Sequence, residues 1–427
     1  LENRNLKVKV IDSIMGSGKT SWAIQYMNGS HESEKFIYIT PFLNEVERVK
    51  REVTNKEFVE PEKFKGKNKR EHFKTLLSQG KNICSTHALF KKADEALIDL
   101  IQVQGYTLIL DEVMNVIEQE PITKEDLQHL TQPNHNGEPL LYVKPDGTCR
   151  WTKKDYKGRF ESIKELAESN NLMIHNNTAL YWTMPVRAFR AFEQVIVMTY
   201  MFDGQLQKYY YDMHDVDYYY KAIKLDPEDN RYKLINYVDH TAEDREHLRE
   251  LINIHYSKLN DIGKGYHAFS STKLDKYAND SAFIELKERV KKDAYNFYRN
   301  KIKASAKDVM WTTIKGENDS IKKALAPHGL TREYNEQPNK FVEVTARATN
   351  DYKNKTTCIY LANRYLNPML KQFVEDGGAK VDQDKFALSE LLQWIFRSRI
   401  RVNQPIDIYI PSSRMRRLLE QYLNNEI

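Results

Sequence analysis

"VIDSIMGSGKTSWAIQYM", Val10 to Met27, decides how the rest of the chain is read. The residues from Val8 to Ile11 are apolar and β-prone, and Gly16-Ser17-Gly18 cannot continue a strand. From Ser21 to Met27 the apolar residues Trp22, Ala23, Tyr26 and Met27 have helical spacing. Strand, glycine loop and helix together make a phosphate-gripping turn. The backbone amides of Gly16, Ser17 and Gly18 and the positive end of the helix hold the phosphates of ATP, Lys19 reaches the β/γ oxygens, and the Thr20 hydroxyl ligates Mg²⁺. Ser13 stands where the pattern G-x-x-x-x-G-K-[ST] has its first glycine. A small residue still permits the turn.

Composition sets the frame. The 427 residues exceed what one core usually organises, so two domains are expected. Lys plus Arg total 65 against 60 acidic residues, a net charge of +5, which permits a nucleic-acid partner without demanding one. Cys84, Cys149 and Cys358 lie far apart with no C-x-x-C spacing, which argues against a zinc ribbon or a disulfide framework and for a reducing, cytoplasmic setting. With no run of eighteen or more apolar residues and no h-region, no membrane partner is expected.

Along the chain, short apolar runs alternate with helical patterns: FIYIT at 36–40, a strand at 82–85 leading into STHALF, YTLIL at 106–110 and VIVMT at 195–199. Between Thr131 and Asn177 the pattern loosens into a hairpin turned at Pro145-Asp146-Gly147 and a helix over 160–169, read as an insertion. The polar stretch Lys224 to Lys233 is the expected domain junction. Beyond it strands are expected at YHAF, VMWTTI, FVEVT, CIYLA and IDIYI, with helices over 284–297 and 389–400. The expected domains are 1–225, with the insertion at about 131–177, and 226–427. Both are α/β layers with parallel sheets. The tyrosine runs at 209–211 and 218–220 are read as packing rather than base stacking.

TLILDEVM delivers Asp111 and Glu112 at the end of a buried strand. Asp111 is suited to hold Mg²⁺, and Glu112 to polarise an attacking water. The order M-G-S-G-K-T, YITPFLNEVERV, STHALF and D-E-V-M resembles motifs I, Ia, Ic and II of the superfamily 2 helicases, and specifically the compact DExx-box helicase-like proteins of bacteriophages. The resemblance extends through nearly the whole chain, with VIVMTYMFDG in the place of motif III, HAFSSTK of motif IV, ARATNDYKNKTTCIYL of motif V and QWIFRSRIR of motif VI.

The resemblance implies two tandem RecA-like domains with the ATP cleft between them, ATP and Mg²⁺ as cofactors, and motion along single-stranded or forked DNA, or RNA. Strand contacts are implied at Pro41, Phe42, Thr86 and His87 in the first domain, and at Ser270, Ser271, Thr272, Arg347, Thr349 and Asn350 in the second. The second motif is neither D-E-A-D nor D-E-A-H. Phe396 replaces the glycine of Q-x-x-G-R-x-x-R, and Ile400 occupies the usual finger position. If the segment is helical, Gln393, Arg397 and Arg401 share a face, so Arg397 and Arg401 are the preferred arginine fingers, with Arg399 competing. The same motifs would serve a duplex translocase that does not unwind, or an ATPase module of a replication-initiation complex that acts with partner proteins. A small-molecule kinase would leave the second half unexplained.

Overall fold

The computed structural model describes residues 7–63, 68–87, 94–133, 137–238, 243–330, 340–346 and 351–427. The chain divides into two compact units. One comprises Leu1–Ser13, Ser17–Asn236 and Asn367–Val381, and the other Ile14–Gly16, Tyr237–Leu366 and Asp382–Ile427.

Strands of the first unit are β1 (Lys7–Asp12), β2 (Lys35–Thr40), β3 (Phe58–Val59), β4 (Asn82–Thr86), β5 (Tyr106–Asp111), β6 (Ile117–Glu120), β7 (Leu141–Val143), β8 (Cys149–Trp151), β9 (Leu172–His175), β10 (Ala179–Thr183), β11 (Gln194–Thr199), β12 (Asp217–Asp226) and β13 (Arg231–Asn236). Among the described residues an eight-stranded sheet runs β13-β12-β1-β11-β5-β2-β4-β3, and its pairings are parallel except that of β12 with β13. Its central strands are continuous apolar runs because helices cover both faces. Val8, Val10, Leu108, Leu110, Val195 and Val197 feed one core, while Ile11, Ile109, Ile196 and Met198 feed another with Trp22, Ala23 and Met27 of the helix Lys19–Gly29.

The hairpin expected around Pro145-Asp146-Gly147 is the β7–β8 pair. Asp146 accepts from the Thr148 N–H, and Gly147 takes φ 82. It lies within a longer antiparallel excursion in which β6, β10 and β9 form a three-stranded sheet, so irregular structure begins at Ile117 rather than at Thr131. Leu127, Leu141, Trp151, Phe160 and Ile163 give this region its own core. The stretch Lys224–Lys233, expected to be a linker, is instead the turn of the β12–β13 hairpin. One more segment joins the first unit from late in the sequence. On helix Pro368–Asp376, Phe373 stacks on Tyr181 at 4.4 Å between ring centroids, and the Asp376 carboxylate lies 2.7 Å from His175 Nε2.

In the second unit β14 (Ile252–Ile254), β15 (Val309–Thr313), β16 (Thr357–Leu361) and β17 (Ile406–Tyr409) form a parallel sheet ordered β14-β17-β16-β15. The strand expected at YHAF is a turn, and FVEVT makes only an isolated bridge from Phe341 to Trp311; β14 was not expected. The helix expected over 389–400 spans Gln383–Ile395 and stops there, because the Arg397 N–H turns back to the Trp394 carbonyl.

Arg414, 2% exposed, holds this unit together. Its guanidinium donates to Asp384 Oδ1, Asn363 Oδ1 and the carbonyls of Arg364 and Gln383. Arg414→Ala is expected to lower the unfolding free energy of this unit by about 3 kcal/mol, the lower end for breaking a buried pair because Asp384 keeps contact with water. Urea unfolding followed by circular dichroism checks it.

Candidate active site

Parallel strands deliver their C-terminal ends to one edge of the large sheet. The register aligns Asp12 with Thr199, Met198 with Asp111 and Thr40 with Thr86. The loop leaving β1 therefore begins beside the ends of β11 and β5. Ser13 is built into this edge: its N–H donates to the Thr199 carbonyl at 3.0 Å, and its hydroxyl accepts from the Ile223 N–H at 2.9 Å. That anchoring role accounts for serine where the general pattern has glycine.

Gly18 adopts φ 93, and a Cβ there would meet Tyr232 ring carbons at 2.0 to 2.7 Å, so both backbone and space demand glycine. Lys19 Nζ donates to the Ser13 carbonyl at 2.5 Å. The Ser17 hydroxyl is buried and finds no hydrogen-bond partner among the described residues. An orphaned donor beside glycine amides and a lysine fits a phosphate oxygen.

Asp111 Oδ2 accepts from Thr20 Oγ1 at 3.0 Å and from Tyr38 OH at 2.6 Å. Burial pushes the Asp111 carboxyl up, the Tyr38 and Thr20 hydrogen bonds oppose that shift, and the charges of Glu45 and Glu112 add to it. One hydroxyl beside one carboxylate is a hard-oxygen pair of the kind Mg²⁺ uses when substrate phosphates and water complete its shell. No cluster of three or more His, Cys, Asp or Glu able to hold a metal occurs among the described residues, so this pair is the fitting place.

Glu112 follows with φ 85, a conformation costing about 1–3 kcal/mol for a non-glycine residue. The surroundings enforce it. Its N–H donates to the Met198 carbonyl at 2.9 Å, and its Oε1 accepts from Thr199 Oγ1 at 2.6 Å and from the Val113 N–H at 3.1 Å. Thr199 Oγ1 in turn accepts from Gln205 Nε2 at 2.9 Å, which obliges the hydroxyl proton to point at Glu112. Gln207 Oε1 accepts from the Met114 N–H, and both Asp12 oxygens accept backbone N–H groups, of Met201 and Phe202, at 2.8 Å.

Sequence reasoning identified Lys19, Thr20, Asp111, Glu112 and Thr199 but missed Asp12, Tyr38, Gln205 and Gln207. These four act only through tertiary contacts. A polar residue within buried sequence, such as Gln207 at 0% exposure, is the one signal they leave.

Pro41 and Phe42 leave β2, and Thr86 and His87 end β4, so pairing of those strands brings the four to the same edge. Ser270, Ser271 and Thr272 open the helix Ser271–Asn279 in the second unit, with Ser271 and Thr272 exposed and the Ser270 side chain not spent on capping. Arg347, Thr349 and Asn350 fall outside the described residues. The shared face expected for Gln393, Arg397 and Arg401 does not form, since Gln393 is helical, Arg397 follows the helix end and Arg401 lies in the 3-10 turn Arg399–Val402. Arg397 is 5% exposed, and Arg399 Nε donates to the Pro405 carbonyl. The tyrosines at 209–211 are fully buried in the core of the first unit.

Comparison with known proteins gives three kinds of match. Residues 246–423 match the YonV C-terminal Rossmann-like domain, and residues 117–182 match the YonV middle domain. The chain is 40% identical over 431 residues to the SPbeta prophage-derived uncharacterized protein YonV of Bacillus subtilis (strain 168), covering 98% of this chain and 99% of that one. Among solved structures, Xpd4 of S. tokodaii aligns over 99% of this chain and 94% of its own, with TM-score 0.49 and 11% identity. The DUF1998 helicase MrfA bound to DNA and AMPPNP aligns with TM-score 0.32 and 10% identity, the chain spanning 49% of its length.

Proposed function

The chain belongs to the YonV family, and from that premise we propose that it is an ATP-driven nucleic-acid motor with two RecA-like domains. The observation that carries this reading is the paired arrangement of Thr20 on Asp111 and Thr199 on Glu112 beside the Lys19 loop. In this reading the loop amides, the Ser17 hydroxyl and Lys19 bind the β- and γ-phosphates of ATP. Thr20 and Asp111 hold Mg²⁺, which when bound neutralises phosphate charge. Glu112, fixed by Thr199, orients the attacking water and accepts its proton. Gln393 and one of Arg397, Arg399 and Arg401 are carried over as nucleotide contacts. Arg399 is the weakest of the three arginines because its Nε is engaged by Pro405.

Pro41, Phe42, Thr86, His87, Ser270, Ser271, Thr272, Arg347, Thr349 and Asn350 are assigned to the strand backbone. Single-stranded or forked DNA in phage-like replication or recombination, in the host cytoplasm, is the favoured setting, in keeping with the prophage origin of the relative. No helix among the described residues is long and apolar enough to cross a membrane.

The test is steady-state ATP hydrolysis with single-stranded DNA, duplex DNA and RNA, at low and moderate salt, since phosphate-driven stimulation weakens as salt rises. Stimulation by one polymer is expected. Turnover indifferent to all three sinks the motor reading. Stimulation by duplex alone without strand separation selects a translocase. Gly18→Ala is expected to weaken binding of a fluorescent ATP analogue tenfold or more, because the added methyl both strains φ and displaces Tyr232; equilibrium titration checks it.

A further inference from the structure

Tyr266, His267 and Tyr365 form an aromatic cluster at the surface of the second unit. The Tyr266 ring lies 4.9 Å from His267 and 6.3 Å from Tyr365, and His267 lies 5.6 Å from Tyr365. Tyr266 is 54% exposed, and His267 is also exposed. Single exposed aromatics need no explanation, but these stand on a turn that is fixed in place. The Tyr266 carbonyl accepts from Asn363 Nδ2 at 2.8 Å and from Tyr365 OH at 3.2 Å. Asn363 Nδ2 also reaches the Ala268 carbonyl, and the Asn363 N–H donates to Phe269. Asn363 is held from behind by Arg414, whose guanidinium lies 4.2 Å from the Tyr365 ring centre. The rings are thus pre-positioned at little further entropic cost.

Charge says what they face. Residues 264–273 carry Lys264 and Lys273 and no acidic residue, and the turn runs directly into the exposed Ser271 and Thr272. We infer that Tyr266, with His267 and Tyr365, is a base-stacking platform for single-stranded nucleic acid, receiving unstacked bases next to the point where the strand's phosphates meet Ser271, Thr272 and the two lysines. Stacking on a π-face tolerates any base, which suits a motor that does not read sequence. A duplex, whose bases are already stacked on one another, gains nothing from the platform. This assignment rests on the nucleic-acid reading above and goes beyond its backbone contacts.

The experiment compares binding of the full chain to a short oligothymidylate and to an abasic strand of the same length, by fluorescence anisotropy at low salt. The wild type is expected to favour the oligothymidylate about tenfold or more. Tyr266→Ala lowers that affinity towards the abasic value and leaves abasic binding unchanged, while Tyr266→Phe, which keeps the ring, binds as wild type. Both variants leave the Arg414 anchor intact, and circular dichroism confirms folding. Equal affinity of wild type and Tyr266→Ala for oligothymidylate overturns the platform while the motor reading stands. Failure of the wild type to bind either strand overturns both.

Discussion

Lys19→Ala is expected to reduce steady-state ATP turnover by about 10³-fold or more while the fold persists. A lysine placed on phosphate oxygens acts where charge develops, and losing one such pre-placed donor typically costs about 10²–10³ in rate, more when the donor is charged. The structural cost is small by comparison. The bond lost from the loop is that to the Ser13 carbonyl, and one such hydrogen bond contributes about 1 kcal/mol. Thermal unfolding should therefore move by only a few degrees, about 2–4 °C for a unit of this size. Turnover measured beside a melting curve separates the two effects, and retained turnover would remove the glycine loop from the mechanism.

Glu112→Gln is expected to lower turnover by about 10²–10⁴-fold, the usual span for losing a general base, with ATP-analogue binding kept within a few-fold of wild type. The substitution is informative because a glutamine oxygen can still accept from Thr199 and from the Val113 N–H, so the strained backbone and the side-chain position survive while the proton acceptor is lost. Gln205→Leu should fall between wild type and Glu112→Gln, about tenfold down, because it frees the Thr199 hydroxyl to point away from Glu112. Single-turnover measurements with binding titrations distinguish these outcomes. Equal turnover in Glu112→Gln and wild type would falsify the base assignment.

What the sequence disclosed follows from how each element earns its stability. Parallel strands buried on both faces read as unbroken apolar runs, so 106–111 and 194–199 were legible, and the carboxylates at their ends with them. The edge strand β13 has no fully buried position, and with charges on either side of its turn it looked like a linker. The helix end after Ile395 escaped notice because Phe396, Arg397 and Ser398 offer neither glycine nor proline as a stop. Gln205 and Gln207 acquire meaning only from strand ends that the fold brings beside them.

The helix Pro368–Asp376 has a consequence for synthesis. The rest of the first unit is complete once Asn236 has emerged, yet the ring that covers Tyr181 and the carboxylate that meets His175 arrive only after the chain has passed through most of the second unit. At ordinary rates of translation that interval is on the order of ten seconds. During it Tyr181 and its apolar neighbours stay open on the ribosome, a waiting surface that holdase chaperones would find on the nascent chain and lose from the finished one.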